Sequence, residues 1–424
     1  MKRRHHVLTT TATALVLSVS SAGCANVDDR GEVTLRLVAA DYEVADQSDS
    51  TERYWADLIA AFESAHTGIT VEVEIVPWDR VDRHVAAMVK TGHAPDVAQI
   101  ASYAEFAARG ELYSADQLLS VPVEANFLPQ FAAAGQQERT QYGMPFSAST
   151  RLLLYNQNLF AEAGVDEPPA TWDELRAAAT QLKSRTDAPY PMAVPLGPEE
   201  AQIEAMTWIL GGGGGYTGST GRYTIDSQQN IDSLTWLKEN LVEKGLTGPV
   251  RPERLNRKEA YAAFVRGEVG MVNGPLSLLR AAKAAGIKVG TTPMPGRVRD
   301  ANDTPAVVDW IMAFKRNGHR AELGNFLDYL FSDKNVREFA IRNNLLPVTV
   351  SVTNQMETDA KHEDLRAFLR ALPTSVSPPL DKISWASVSN STKKNIGSAM
   401  SRDGSPAEAL RRVSDVAIEA ERAP

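Results

Sequence analysis

Carboxylates and amides standing beside aromatic rings are the residues here best suited to chemistry, and the chemistry is the holding of a neutral polar solute. Gln202, Glu204 and Trp208 share one short segment, and Glu204 and Trp208 fall on one helical face at i and i+4. Asp309 and Trp310 follow Val307-Val308, which embeds a carboxylate in an apolar run where burial without a partner is costly. Asp41 and Tyr42 follow the first strand pattern, Trp78 the second, and Ser102 and Tyr103 the third. Loops beyond the C-terminal ends of strands are where α/β proteins place ligands. A polyol offers hydroxyls at its rim and apolar C–H patches on its ring faces. Carboxylates and amides can bond the first while aromatic planes cover the second. The competing arrangement puts the tryptophans in cores, Glu204 in solvent and Asp309 in a structural ion pair.

Bond-breaking chemistry finds less support. The seven histidines are scattered, no His-Glu-x-x-His occurs, and a single cysteine cannot build a thiolate cluster, so no metal or cofactor is expected. No Gly-x-Ser-x-Gly elbow is present, and Ser391-Thr-Lys-Lys394 lacks the Lys-Thr-Gly that would accompany a Ser-x-x-Lys nucleophile. A secreted glycosidase stays open as the alternative, because Glu204 and Asp309 could serve as the two carboxylates that such an enzyme holds about 5–10 Å apart. A surface scaffold protein with no small ligand is a third class. The formal net charge of −9 and the lack of a long basic run argue against nucleic acid.

The chain has 424 residues, 43% of them hydrophobic, enough for two packed domains. Val33 to Val38 alternates as a strand, Trp55, Leu58, Ile59 and Phe62 mark a helix, and Val71 to Ile75 alternates again. A helix over Asp82 to Lys90 and the apolar run Val97 to Ile100 complete a β-α-β-α-β series, which predicts a parallel sheet. A second series starts near Arg151 with the buried-strand pattern Leu152 to Tyr155. Thr171-Trp-Asp-Glu174 and Ser405-Pro-Ala-Glu408 are capping boxes that open helices. The glycine run Gly211 to Gly215 lacks the Lys-Ser/Thr of a phosphate loop and reads as a helix terminator and flexible loop. At the N-terminus a basic start, the uncharged stretch Val7 to Val19 and small residues up to Gly23 form a secretory signal, with residues 25–31 as a polar tether.

The segment Tyr142-Gly-Met-Pro-Phe146, continuing through Leu154-Tyr-Asn-Gln-Asn-Leu-Phe160, Ala163-Gly-Val165, Pro168-Pro169 and Thr171-Trp-Asp-Glu-Leu175, resembles the central motif of maltodextrin-type solute-binding proteins of carbohydrate ABC importers. Ala94-Pro-Asp-Val97, Phe264 to Met271, Asn273-Gly-Pro275, Asn325 to Leu330 and Asn344-Leu-Leu-Pro347 follow in that family's order. The resemblance implies a two-lobed periplasmic-binding-protein-like α/β fold with hinge strands and an interlobe ligand cleft. The first lobe would span 32–147 and about 290–330, and the second 148–289 and about 331–424. The implied function is an extracytoplasmic carbohydrate-binding receptor, a non-enzyme that delivers a mono- or short oligosaccharide to separate ABC permease subunits by lobe closure. Cys24 after Ala22-Gly23 resembles a lipobox. The resemblance thus implies lipidation, a signal peptide over 1–24, and a monomer anchored on the outer face of the bacterial cell membrane. It implies that Trp385 stacks on the sugar, that Gln202, Glu204 and Trp208 lie in the second-lobe ligand segment, that Ser149 and Arg151 line the hinge, and that Asn273 sits in a ligand loop. Leu276 stands where relatives often carry Trp, which points away from a long maltodextrin.

Overall fold

The computed structural model describes residues 32–42, 50–301 and 303–422. Cys24 and the signal and tether segments lie outside them.

Two sheets organise the chain. The first has five strands in the order Ile69–Pro77, Val33–Asp41, Val97–Ile100, Ala306–Ala313, Met144–Thr150. The first three run parallel, as the β-α-β-α-β pattern predicts, and Ala306–Ala313 joins antiparallel to both of its neighbours. The second sheet has four strands in the order Val289–Thr292, Leu152–Asn156, Val269–Gly274, Tyr190–Ala193. Apolar strands on both sheets are buried on both faces, which their near-continuous Val, Leu and Ala runs encode.

Arg151 alone separates the two sheets where the chain first crosses, between Thr150 and Leu152. The chain returns to the first sheet between Thr292 and Ala306. A third passage ends in the helices Trp385–Asn395 and Pro406–Arg422, which pack on the second sheet's helices. Two assignments differ from the sequence reading. Val289–Thr292 pairs with Leu152–Asn156 in the second sheet rather than the first. Asp333–Arg342, assigned to the second lobe, packs on the first: Phe339 lies 4.3 Å from the Phe146 ring, 4.8 Å from Tyr54 and 5.5 Å from Tyr42. Its apolar stripe Val336, Phe339 and Ala340 fits the aromatic surface that Trp55 and Phe146 leave open, and sequence periodicity cannot say which of two cores a stripe will meet.

Local sequence sets the helix that carries the site. Ala201–Gly211 follows the strand Tyr190–Ala193 and is buried along its whole length, so its apolar residues are not confined to one stripe. It ends in the glycine run, a helix terminator as expected, which is packed tightly at Gly212 and Gly214 while Gly213 is exposed with nothing near it. A Cβ at Gly212 would lie 1.9 Å from Ser233 Oγ, and one at Gly214 would lie 1.9 Å from Asn230 Oδ1. Fully buried Asn230 fastens the run: its amide donates to the carbonyls of Gly215 (2.8 Å), Thr224 (3.0 Å) and Ile225 (3.0 Å), and its Oδ1 accepts from Gly215 N–H at 3.1 Å. Asn230→Ala leaves those backbone groups unpaired, at a cost of about 2–3 kcal/mol. Urea unfolding followed by tryptophan fluorescence should show a lower midpoint; an unchanged midpoint contradicts the fastening role.

Candidate functional site

The first-lobe wall is built at the ends of its central strands. Gln99, the one polar side chain of the strand Val97–Ile100, accepts Ala40 N–H on Oε1 (3.3 Å) and donates Nε2–H to Tyr42 Oη (2.5 Å). Tyr42 in turn donates to Asp309, and Ser147 donates to the same carboxylate oxygen at 2.8 Å. Asp309 sits where the pairing of Ala306–Ala313 with Met144–Thr150 shifts register between Asp309 and Trp310. Such irregularities re-aim a side chain. Burial pushes the Asp309 carboxyl up to about 6, with nearby Asp82 adding to the rise and the bonds from Tyr42 and Ser147 opposing it. Burial also raises Tyr42, and the Asp309 charge raises it further. The Tyr42 ring is held in a sandwich, stacked on Trp78 at 5.7 Å and edge-on to Phe339.

Asp82 ties this wall to the loop that carries Ser102. It accepts Ala101 N–H at 3.1 Å and the backbone of Ser102 as well. Burial raises its carboxyl; these bonds and the charge of Lys393 pull it back. Lys393 belongs to the helix Trp385–Asn395 of the second lobe and lies 3.8 Å from Glu200. The Lys393 charge thus acts on acids of both lobes, Glu200 and Asp82.

The second-lobe wall gathers Arg151, Gln202, Glu204, Asn273 and Tyr261. Asn273 ends the strand Val269–Gly274, and Gln202 and Glu204 open the helix Ala201–Gly211. Glu204 is 1% exposed, and burial raises it to about 7 against the pull of Arg151, the Asn273 amide and Arg257, with Glu200 adding to the rise. Asn273 approaches it, yet neither Glu204 oxygen completes a hydrogen bond within the protein. Arg151 Nε, Gln202 Oε1, Asn273 Oδ1 and Tyr261 Oη are likewise buried without a protein partner. Arg151 spends one bond on Ser149 Oγ, at 3.3 Å. Buried polar atoms are seldom left unpaired, so this concentration marks a place built to meet something else. Among the described residues no group of three or more His, Cys, Asp or Glu is placed to hold a metal ion.

The sequence-named residues divide. Tyr42, Ser102, Ser149, Arg151, Gln202, Glu204, Asn273 and Asp309 belong to the linked walls; Trp78 flanks Tyr42, and Asp41 ends its strand beside Pro77. Tyr103, Trp208 and Trp310 do not face a cleft. Tyr103 is fully buried, packs on Trp310 at 5.5 Å, and donates its hydroxyl to Ala134 O at 2.6 Å. Trp310 neighbours Asp309 on a strand, so the two point to opposite faces and only the carboxylate reaches the wall. Trp208 lies one turn deeper than Glu204, 6.2 Å from Trp172 in the second core. Trp385 is 7% exposed, 5.4 Å from Tyr216, whose hydroxyl donates to Gln202 O at 2.5 Å; its ring is mostly core and reaches the site through that pair. The sequence reading missed Asp82, Gln99, Ser147, Glu200, Tyr261 and Lys393. Gln99 was findable as a lone amide in an apolar strand. The others carry no local signal, because their role depends on a residue far away in the chain.

Residues 47–337 match the family model of bacterial extracellular solute-binding proteins, and the chain belongs to that family. It is 26% identical over 401 residues to a Brucella abortus protein named as a binding protein, covering 94% of this chain and 95% of that one. It is 26% identical over 237 residues to the maltotriose-binding protein of Pyrococcus abyssi, covering 55% of this chain and 49% of the relative. In structure it resembles the GacH receptor of Streptomyces glaucescens, solved unliganded and with acarbose, with a TM-score of 0.77 at 21% identity over 92% of this chain and 99% of that one. The two-lobed fold is thus shared.

Glu204 makes stability depend on pH. Its carboxyl is held near 7 in the folded state against an ordinary 4.5, so folding favours the protonated form. That stabilisation is complete below about 4.5 and is lost as pH rises through about 7. Relative to Glu204→Gln, the wild type should therefore lose on the order of 3 kcal/mol between pH 5 and 8. Parallel urea titrations of both proteins across that range check it, and a constant difference contradicts the burial argument. Trp208→Ala should cost about 3–5 kcal/mol of stability and leave ligand affinity per folded molecule unchanged by titration calorimetry.

Proposed function

We propose that this solute-binding protein captures a carbohydrate between its lobes and delivers it to the permease subunits of an ABC importer, without changing it chemically. The observation that carries the reading is the set of unpartnered buried polar atoms on Arg151, Gln202, Glu204 and Asn273. Carboxylate and amide acceptors with a guanidinium donor suit vicinal hydroxyls, which both donate and accept. Half-buried Trp78, stacked on Tyr42 on one side, supplies aromatic surface for a sugar face on its other. The fold-sharing receptor solved with acarbose and the maltotriose-binding relative bind sugars by their names, which agrees with this chemistry.

Closure follows from where the walls hang. The chain passes from the first sheet to the second through Arg151, so rotation of the lobes about that crossing changes the gap between Asp82 of one lobe and Glu200 and Lys393 of the other. A bound polyol satisfies acceptors on both walls at once, and the exclusion of water strengthens each bond. In this reading the lobes comprise the units built on the two sheets, and Tyr42, Ser102, Ser149, Arg151, Gln202, Glu204, Asn273 and Asp309 contact or brace the ligand. Cys24 carries the lipid that holds the receptor as a monomer on the outer face of the membrane, and Cys24→Ser should release it into the medium.

A thermal-shift screen against mono- to trisaccharides tests the function. At a hundredfold excess over Kd a true ligand stabilises the folded state by about 2.7 kcal/mol. Chromatography after incubation should return the sugar intact. Asp309→Asn should weaken binding by about 1.5–3 kcal/mol in titration calorimetry. Absence of any shift across the panel, or release of monosaccharide from an oligosaccharide, would sink the proposal.

A further inference from the structure

The direction of the hydrogen bonds around the site restricts the charge of what it can hold. A carboxylate without its proton only accepts, so an amide beside one must turn its NH2 toward it and its carbonyl away. Gln202 does this, giving Nε2–H to Glu200 Oε2 at 3.0 Å and leaving Oε1 buried and unpaired. Asn273, beside Glu204, likewise leaves its Oδ1 buried and unpaired. With the two Glu204 oxygens, the second wall presents four buried acceptors that lack a donor, against two unpaired donors, Arg151 Nε and the Tyr261 hydroxyl.

The first wall has the same polarity. Ala40 N–H fixes Gln99 Oε1, which turns the Gln99 amide nitrogen toward Tyr42 Oη. Tyr42 must then send its own proton to Asp309, where Ser147 also donates. That relay ends in a carboxylate, not in a donor. Two nearby cations have acid partners, Arg257 with Glu199 at 3.4 Å and Lys393 with Glu200 at 3.8 Å, while the charges of Arg151 and Arg257 are offset by that of Glu204.

We infer that the site selects a donor-rich sugar that is neutral or carries an amine, and rejects sugars bearing a phosphate or a carboxylate. An anionic group brings further acceptors to unpaired acceptors and meets the charges of Glu200, Glu204, Asp82 and Asp309. Like-charge contacts of this kind are strongly unfavourable when desolvated. The inference rests on the carbohydrate reading above and sharpens it.

The test is titration calorimetry at pH 8, where Glu204 is ionised, with matched sets built on glucose, galactose and mannose: the hexose, its 2-amino derivative, its uronate and its 6-phosphate. The same substitutions are made on the oligosaccharide giving the largest thermal shift. The neutral or amino form should bind, and both anionic forms should bind at least about tenfold more weakly. Glu204→Gln, which keeps the shape and adds a donor, should narrow that gap, with its fold checked by circular dichroism. An anionic form binding within threefold of its parent, or an unchanged gap in the folded variant, overturns the charge inference and leaves the carbohydrate reading standing. Failure of every sugar, charged or not, overturns the carbohydrate reading and this inference with it.

Discussion

A carboxylate removed from water must be partnered or protonated, and the architecture around the cleft is organised by that demand. Asp309 and Glu204 stand on different lobes, both buried and both held above the ordinary carboxylate range. Asp309 is met by Tyr42 and Ser147 from two other strands or strand ends of its own sheet. Glu204 has Arg151 and Asn273 near it and completes no bond within the protein. One wall is thus pre-assembled, while the other leaves polar atoms without a partner in the protein.

Pre-assembly of the first wall depends on packing well behind it. Tyr42 can aim its hydroxyl because Trp78 covers one side of the ring and Phe339 abuts it. Phe339 is itself fixed by Tyr54 and Phe146, so the helix Asp333–Arg342 acts on the site without touching the cleft. On the second lobe the same service comes from the glycine run. By letting Asn230 and Ser233 approach the backbone closely, it anchors the end of the helix whose first turn carries Gln202 and Glu204. Close-packed interiors transmit position in this way, because no slack is available to absorb a shift.

The two walls meet electrostatically as well as through the chain. Lys393 lies 3.8 Å from Glu200 of its own lobe, its charge lowers the Asp82 carboxyl of the other, and Asp82 braces the loop of Ala101 and Ser102.

Much of the scaffold was legible in the linear chain. Alternation and helical period located the strands Val33–Asp41, Ile69–Pro77 and Leu152–Asn156, and the Thr171 box opened the helix Trp172–Arg185 with Glu174 N–H on Thr171 Oγ1 at 3.3 Å. The pairing of acids with amides and rings named Tyr42, Asp309, Gln202 and Glu204, because a polar residue inside an apolar pattern advertises a need for a partner. Sequence by itself could not identify the partner. Asp309 and Trp310 are neighbours with equal local claims, and the strand's two faces sent one to the wall and the other to the core. Gln99 with Tyr42, Ser147 with Asp309, and Lys393 with Glu200 are pairings across tens to hundreds of residues. Local propensity determined which segments fold and what chemistry they carry. Tertiary packing alone decided which side chains meet, since long-range contact depends on how whole faces fit rather than on any residue's neighbours in the chain.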